Sequence, residues 1–453
     1  MKKQIIIIGG GIVGACIAYE LSTIAPFQIT VLETRSSLGL GCSMAALGIC
    51  MGIISHKTKG RNWKLREKSL HRYDTLIAEL NAEANQTLED KDLDFSPIPF
   101  NDRGIIQLCG LEDDLTGWHR LIQKRSSQGY SLDCWSKDQI SQVFPTLNLT
   151  NIQAAIYSPQ DRQVDPYLLI EALKRSAQKR GVCFRFNTTV KQVVSENIKG
   201  QSRVTGVVIE RNSFTEEPTL ETIAVDGVIV ASGLGTNGID WGICPDTQPT
   251  SVAHPKRDPN HAPQLDTPVV QAVLGQAWQV SLPQPLWAGE GGGLHPVLNV
   301  RDIHFVPILA SSDRSLDDQD SLDDQSVKYP TIKPTIAPSL EPCWSYWIGA
   351  TVEFAPECFP EFSPAALPQA SETIAQDLWD NATQICPSLA EATIQAQWSG
   401  LRPRPINQAA PVLQWSTIAS NLLFATGHYR NGVFLAPGTA LWVKEQVILK
   451  WGH

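Results

Sequence analysis

The segment "IIIIGGGIVG", residues 5–14, decides the first part of the fold. Its four isoleucines, residues 5–8, are typical of a strand buried on both faces of a parallel sheet. Gly9, Gly11 and Gly14 follow with the G-x-G-x-x-G spacing of a dinucleotide-binding turn. In such a turn the first glycine permits a tight bend and the second lets the backbone approach a pyrophosphate. The third lets a helix pack closely against the strand.

The residues after the turn complete a β-α-β unit. Residues 15–21 form an apolar pattern typical of a helix, and residues 28–32 predict a second strand that ends in Glu33. Glu33 stands 19 residues after Gly14, close to the spacing of about 20 at which an acidic residue binds ribose. An acidic residue there disfavours the 2′-phosphate of NADP. A purely structural glycine turn is the alternative.

The composition excludes several classes of protein. The 453-residue chain has a net charge of −9 and no basic run, which argues against a nucleic-acid partner. Its ten cysteines are scattered without a CxxC pair, which favours free thiols, a reducing compartment and a cytoplasmic location, and no metal site is predicted. The N-terminus resembles a signal peptide, but the glycine turn and Glu20 fit it poorly. No membrane span is predicted, because no other apolar run approaches about 20 residues.

The segments that follow distinguish a flavin from a nicotinamide site. Residues 39–52 are small, uncharged and rich in glycine, so the backbone there can pass close to a flat ring. Residues 57–80 then form an amphipathic helical pattern instead of continuing the β-α-β-α-β half of a nicotinamide enzyme. Residues 162–194 and 225–238 contain later strands that return to the first sheet. The nucleotide domain is therefore predicted to be discontinuous, with a second domain inserted.

Two further motifs place charge in unusual surroundings. The apolar segment "LLFATGHYRNGVFLAPGTA", residues 422–440, contains four polar residues between Gly427 and Gly432. In "GLRPRP", residues 400–405, the prolines favour an extended chain, so Arg402 and Arg404 point to one side. A guanidinium binds a carboxylate through two parallel N–H···O bonds. A surface ion pair is the alternative for either arginine.

The chain resembles the D-amino-acid oxidase superfamily of flavoenzymes, and most of all its glycine oxidase branch. The matching residues are "GGGIVG" (9–14), Glu33, residues 43–48, "QVDP" (163–166), "GLRP" (400–403) and "GHYRNG" (427–432). The resemblance implies an α/β fold, in which a glutathione-reductase-type FAD-binding Rossmann domain carries an inserted α+β substrate domain built on an antiparallel sheet.

The resemblance also implies domain limits. Residues 1–93, 150–245 and 395–453 are expected to form the FAD-binding domain, and residues 94–149 and 246–394 the substrate domain. An acidic, proline-rich insertion at about 311–341 has the composition of a mobile surface loop.

The resemblance assigns a set of cofactor-binding residues around non-covalent FAD. They are Gly9, Gly11, Ile12, Val13, Gly14, Glu33, Thr34, Cys42, Ser43, Ala46, Leu47, Gly48, Val190, His428, Tyr429, Arg430, Asn431, Gly432, Val433 and Phe434. Backbone N–H groups of residues 428–434 are expected to face the pyrimidine end of the flavin, which gains negative charge on reduction. Residues 400–402 contain no cysteine to which a flavin could be attached.

Three residues are catalytic candidates by the same resemblance. Arg402 is expected to bind the substrate carboxylate, with Arg404 in reserve. Arg430 is expected at the boundary of flavin and substrate; a structural pairing of Arg430 with a carboxylate is the alternative. His304 stands where glycine oxidases carry a tyrosine, which puts glycine itself in question as the substrate. Taken alone, a structural role suits His304 better.

The implied function is FAD-dependent oxidation of a small amino acid or N-methyl amino acid. Hydride transfer to flavin N5 would give an imine, which hydrolyses to an oxo acid and ammonia, with O2 as the acceptor. A D-amino-acid dehydrogenase that passes electrons to a quinone is an alternative, as is a non-catalytic flavin-binding protein. Oxidation of a hydroxyl or of a tRNA-linked methylamine on the same scaffold is a further one. The oligomeric state is not predicted.

Overall fold

A computed structural model describes residues 2–85, 98–198, 200–211, 219–242, 267–288, 294–309, 344–355 and 367–452. The insertion at about 311–341, which the sequence predicts to be mobile, lies outside these described residues. Within the described part of the chain, no helix is both long enough and apolar enough to cross a membrane.

The helices are α1 (Ile12–Leu21), α2 (Gly60–Asn85), α3 (Leu115–Ser126), α4 (Lys137–Val143), α5 (Pro166–Lys179), α6 (Glu372–Ile385) and α7 (Gly432–Trp451). The strands are β1 (Lys3–Ile8), β2 (Phe27–Leu32), β3 (Ile49–Cys50), β4 (Phe100–Asn101), β5 (Ile105–Gly110), β6 (Asp133–Trp135), β7 (Ile152–Ser158), β8 (Arg162–Val164), β9 (Cys183–Arg185), β10 (Thr188–Ile198), β11 (Gln201–Arg211), β12 (Thr219–Ala224), β13 (Gly227–Val230), β14 (Val270–Leu282), β15 (Val297–Val300), β16 (Ile303–Pro307), β17 (Trp344–Gly349), β18 (Glu353–Phe354), β19 (Thr393–Pro405), β20 (Val412–Trp415) and β21 (Leu422–Thr426).

The first sheet has the strand order β20-β21-β13-β1-β2-β9 and is parallel except for the edge strand β20. Side chains of β1 alternate between its two faces, as a strand requires. Ile5 and Ile7 pack in the core beneath α1, α5 and α7, whereas Ile6 and Ile8 pack against the three-stranded sheet β10-β11-β12. The result is a three-layered unit, which confirms the predicted FAD-binding Rossmann class.

The second sheet is mostly antiparallel, with the order β18-β14-β17-β16-β15-β5-β7-β6 and with β19 paired to β14. The pair β15–β5 is parallel. One face of this sheet packs against α4 and α6 through an apolar cluster that includes Phe144, Trp278 and Tyr346. The opposite face carries Ala277, Trp347 and other side chains that pack against the loop around Leu47. The loop that follows β2 therefore meets this second sheet.

Sheet membership bears on the proposed domain limits. Ile152–Ser158 and Thr393–Pro405 pair within the second sheet, although the ranges 150–245 and 395–453 were assigned to the FAD-binding domain. By their pairing, both strands belong with the second sheet, because the hydrogen bonds that stabilise a strand come from its neighbours in the sheet and not from its neighbours in the sequence. The division into domains remains a proposal with this change.

Candidate active site

A cavity of about 830 Å³ opens between the two sheets. The chain lines it where β1, β2, β13 and β21 end, namely at Gly9, Glu33, Ala231 and Gly427. These are the carboxyl ends of parallel strands, the position at which open α/β sheets bind ligands. Residues of β14, β16 and β19 line the cavity from the second sheet.

The glycine turn has the geometry that its spacing predicts. Gly9 has φ +101°, and a Cβ atom there would lie 2.8 Å from the Ala231 carbonyl oxygen. A Cβ atom on Gly14 would lie 2.0 Å from the Gly9 carbonyl oxygen, so only glycine allows α1 to approach β1 this closely. The Ile12 N–H donates to Ser43 Oγ at 3.0 Å and ties the start of α1 to the loop of residues 39–48.

Glu33 closes one end of the cavity. Its Oε2 accepts a hydrogen bond from the Gly10 N–H at 2.7 Å, and its Oε1 accepts one from the Arg35 N–H at 3.0 Å. A carboxylate has about four lone-pair sites, so Glu33 retains capacity for the hydroxyl groups of a ribose. The residue both shapes the glycine turn and lines the cavity.

The start of α7 forms the other end of the cavity. His428 is buried, and its Nε2 lies 3.0 Å from Oγ1 of Thr439, which is about two turns into α7. Burial lowers the pKa of His428 to about 3, so the ring is neutral near pH 7. Tyr429 has φ +54°, a conformation that non-glycine residues rarely adopt. Residues 429–434 line the cavity after this turn, and the first N–H groups of a helix have no partner within their own helix.

Arg66 of α2 joins the two cavity walls, and nothing in the sequence singled it out. Its Nη1 donates to the Met51 carbonyl oxygen at 2.7 Å, and its Nη2 donates to Asn431 Oδ1 at 3.3 Å. Its guanidinium also lies 5.5 Å from the centre of the Phe434 ring. One more arginine in a polar helical pattern gives no signal of such a role, because the partners are distant in sequence.

A buried pair of charges fixes another stretch of the wall. Asp161 accepts hydrogen bonds from the N–H groups of residues 52–54, at 2.6 to 2.9 Å. Arg125 donates to the carbonyl oxygens of Ile53 and Ser55, both at 2.7 Å. Burial raises the pKa of Asp161, while the three backbone N–H groups act in the opposite direction. Both charges are thereby satisfied by backbone dipoles, and they hold a loop whose residues line the cavity.

Arg402, in β19, lies on the side of the second sheet. Its Nη1 donates to the carbonyl oxygens of Leu274 at 3.2 Å and of Thr351 at 2.9 Å. The guanidinium lies over Gly275, where a Cβ atom would be 2.1 Å from Nη2. Among the described residues Arg402 forms no ion pair, and it lines the cavity. Burial and the neighbouring Arg430 lower its pKa, but a guanidinium remains a cation at neutral pH.

The other two catalytic candidates lie nearby. Arg430 Nη2 donates to Asp302 Oδ1 at 3.0 Å, and both side chains are substantially exposed. Arg430 is therefore paired with a carboxylate, as the alternative interpretation expects, and it also lines the cavity. His304 Nδ1 lies 2.7 Å from Asn299 Oδ1, and burial lowers the pKa of His304 to about 4. The reserve arginine, Arg404, lies over the Tyr429 and Phe354 rings and is outside the cavity lining.

The predicted cofactor residues are gathered in one place with two exceptions. Lining the cavity are Gly9, Gly11, Ile12, Val13, Glu33, Thr34, Cys42, Ser43, Ala46, Leu47, Gly48, His428, Tyr429, Arg430, Asn431, Gly432, Val433 and Phe434. Gly14 acts behind the wall through helix packing, and Val190 is buried in the core next to β1. Their roles toward the cofactor stay predictions.

The donor set of the cavity fits FAD. The charged lining residues in the described chain are four arginines and a single carboxylate, Glu33. Glu33 suits a ribose, and the start of α1, with no side chain on Gly9 or Gly11, suits a pyrophosphate. The start of α7 suits a ring edge that gains negative charge. The described residues contain no cluster of three potential metal ligands.

Comparisons with known proteins agree with this arrangement. Residues 4–446 match the DAO family of FAD-dependent oxidoreductases. The glycine oxidase of Geobacillus kaustophilus is 24% identical over 452 residues, which is 98% of this chain and 93% of that protein. Its crystal structure superposes with a TM-score of 0.68 at 22% identity, covering 99% of this chain and 96% of that one.

Two other similar proteins differ in what their names report. The structure of L-proline dehydrogenase from P. horikoshii has a TM-score of 0.68 at 17% identity and covers 100% of this chain and 94% of that one. The mitochondrial dimethylglycine dehydrogenase of Rattus norvegicus is 28% identical over 200 residues, 42% of this chain and 20% of that protein. The chain belongs to the DAO family, and it is an FAD-dependent oxidoreductase.

Proposed function

We propose that this enzyme oxidises the C–N bond of a small amino acid or N-methyl amino acid. The observation that carries the proposal is Arg402: a partly buried guanidinium, without an ion pair in the described residues, that lines the cavity. Such a cation needs an anionic partner, and a substrate carboxylate supplies one. The names of three similar proteins report glycine, dimethylglycine and proline as substrates, and all three compounds are amino acids.

The chain's own residues would bind and orient the substrate. Arg402 holds the carboxylate, and the two carbonyl oxygens on its Nη1 keep the guanidinium in one orientation. Small side chains at Gly275, Ala277 and Ala350 leave room for the α-carbon and its substituents. FAD, when bound, supplies the hydride acceptor for the substrate C–H bond. The resulting imine would hydrolyse in water to an oxo acid and an amine, which is ammonia from a primary amino acid and methylamine from an N-methyl amino acid.

The start of α7 would stabilise the negative charge that the cofactor gains. Its N–H groups are held in place by the His428–Thr439 hydrogen bond and by Arg66 on Asn431. Because these dipoles are fixed before the reaction, no reorganisation is needed during it. Binding of FAD without a covalent bond is part of the proposal, as is O2 as the electron acceptor. A cytoplasmic location remains a prediction from cysteine usage.

The test is a product assay on the purified protein with its bound flavin. It is incubated in air with glycine, sarcosine, N,N-dimethylglycine, proline and D-amino acids, and peroxide, ammonia and oxo acid are measured. Peroxide equal to oxo acid supports an oxidase. Turnover only under argon with a quinone dye would mean that the electron acceptor is a quinone and not O2. No product from any amino acid with either acceptor would refute C–N oxidation and favour a flavin-binding protein.

A further inference from the structure

His304 and Asn299 form a polar pair in the wall of the cavity on the substrate side. They face each other across the antiparallel hairpin β15–β16. Asn299 is fully buried, and its Oδ1 lies 2.7 Å from His304 Nδ1. On the other side of the amide, Asn299 Nδ2 lies 3.4 Å from Met51 Sδ. His304 itself lines the cavity.

The surroundings of Asn299 fix which imidazole nitrogen carries the proton. A thioether sulfur has no proton to donate and is a weak acceptor, so the amide NH2 belongs on the Met51 side. The amide oxygen then faces His304 and accepts the Nδ1–H hydrogen bond. In a neutral imidazole the other nitrogen, Nε2, consequently carries a lone pair. Among the described residues Nε2 has no hydrogen-bond partner.

The charges around the ring keep it neutral. Burial, together with the nearby cations of Arg430 and Arg402, lowers the pKa of His304 to about 4, while Asp302 acts in the opposite direction. At neutral pH the cavity therefore contains two groups of opposite hydrogen-bonding character. Arg402 can only donate and His304 Nε2 can only accept. A substrate carboxylate fits the first and is repelled by the lone pair of the second.

We propose that His304 Nε2 accepts a hydrogen bond from an N–H group of the substrate amine, so that the site favours primary and secondary amino acids over tertiary ones. The proposal rests on the proposed C–N oxidation and deepens it. An amine must be unprotonated to release a hydride from its α-carbon, since its lone pair becomes part of the imine. In that state a primary or secondary amine retains an N–H group and a tertiary amine has none.

The test compares His304→Phe with the unaltered enzyme on three substrates, glycine, sarcosine and N,N-dimethylglycine. A lost hydrogen bond of about 1–1.5 kcal/mol corresponds to about a tenfold loss. We expect kcat/KM to fall by about tenfold for the first two substrates and by less than about threefold for the third. Replacement of the exposed His119 by Phe, in α3, is the matched control and should change none of them. An equal fall for all three substrates would overturn the proposal.

Equilibrium binding tests the same idea without turnover. Acetate and glycolate are titrated into the flavin-loaded protein and followed by the visible spectrum of the flavin. Glycolate adds one O–H donor to the carboxylate, so it should bind about tenfold more tightly than acetate, and His304→Phe should abolish this difference. Should no amine be oxidised, the proposed function fails but this comparison still decides the character of His304. Tighter binding of acetate than glycolate, or weaker acetate binding in His304→Phe by about tenfold, would overturn the proposal.

A second variant reverses the character of the imidazole. Asn299→Asp keeps an oxygen on Nδ1 but adds a negative charge, which favours the imidazolium and so places a proton on Nε2. We expect acetate affinity to rise and the preference for glycolate to disappear. The ¹⁵N chemical shifts of His304 should report an Nδ1-protonated neutral ring in the unaltered protein and an imidazolium in the variant. An Nε2-protonated neutral ring in the unaltered protein would refute the assignment.

Discussion

Replacement of Arg402 by Ala is the perturbation that addresses the proposed chemistry most sharply. In the structure, Nη1 already donates to the carbonyl oxygens of Leu274 and Thr351. The remaining N–H groups of the guanidinium, on Nη2 and Nε, are those available to a ligand in the cavity. The substitution removes these donors and the positive charge, while β19 keeps its backbone ladder with β14.

The magnitude follows from the number of bonds lost. A hydrogen bond to a charged group contributes about 1.5–3 kcal/mol, and water will replace part of a two-bond contact. A net loss of about 2–4 kcal/mol corresponds to a roughly 30- to 1000-fold weaker binding of a carboxylate ligand. Two backbone carbonyl groups lose their partner as well. We therefore expect a stability loss of about 1–3 kcal/mol, without release of FAD.

The assay measures the Kd of acetate, the KM of an amino acid and the flavin content of the purified variant. Arg404→Ala is the matched control, because Arg404 lies two residues along the same strand, is exposed and does not line the cavity; its guanidinium lies 5.2 Å from the centre of the Phe354 ring and 5.9 Å from that of Tyr429. We expect less than a threefold change in Kd for this control. The reasoning is refuted if Arg402→Ala loses flavin in proportion to acetate affinity, or if both variants weaken acetate equally.

Three further predictions concern the frame of the site. Gly14→Ala introduces a Cβ atom 2.0 Å from a backbone oxygen. In urea unfolding of the FAD-free protein, this variant should lower the free energy of unfolding by about 3 kcal/mol or more. The control Gly238→Ala, which has open space around it, should change the free energy of unfolding by less than about 1 kcal/mol. The pKa of His428 is lowered to about 3 in the folded protein, so below about pH 6.5 the unfolded chain takes up a proton that the folded protein does not. The free energy of unfolding therefore falls as the pH drops from 7 to 5, and His428→Gln should remove about 2 kcal/mol of that fall. An unchanged pH dependence in His428→Gln would contradict the buried neutral ring. Asp302→Asn breaks the exposed ion pair with Arg430 and should alter the free energy of unfolding by no more than about 1 kcal/mol, with a larger change marking the pair as structural.

The parts of the fold that local sequence determines were predictable. The glycine turn, the strand of residues 5–8 and the helix after it follow from spacing and apolar pattern, and all three are present. At the start of α5 the Asp165 side chain accepts hydrogen bonds from the N–H groups of Tyr167 and Leu168, which is an equally local effect. Each of these features depends on residues close together in the chain.

The parts that depend on distant contacts were not predictable. Arg66 reaches Asn431, 365 residues further along the chain, and Arg125 reaches Ser55, 70 residues earlier. No periodicity marks such residues, because a single arginine in a helix resembles its solvent-exposed neighbours. The placement of β19 in the second sheet was missed for the same reason, since its partner β14 lies more than a hundred residues earlier.

Anaerobic mixing of the flavin-loaded protein with sarcosine tests the central claim most directly, because it reports on electron transfer from a C–N bond whatever the final acceptor. The account predicts that the visible flavin absorption bleaches, that Arg402→Ala requires a far higher sarcosine concentration for the same rate, and that air restores the colour. Flavin that remains fully coloured with sarcosine, glycine and every other amine tested, or that bleaches only with a hydroxy acid, would contradict it.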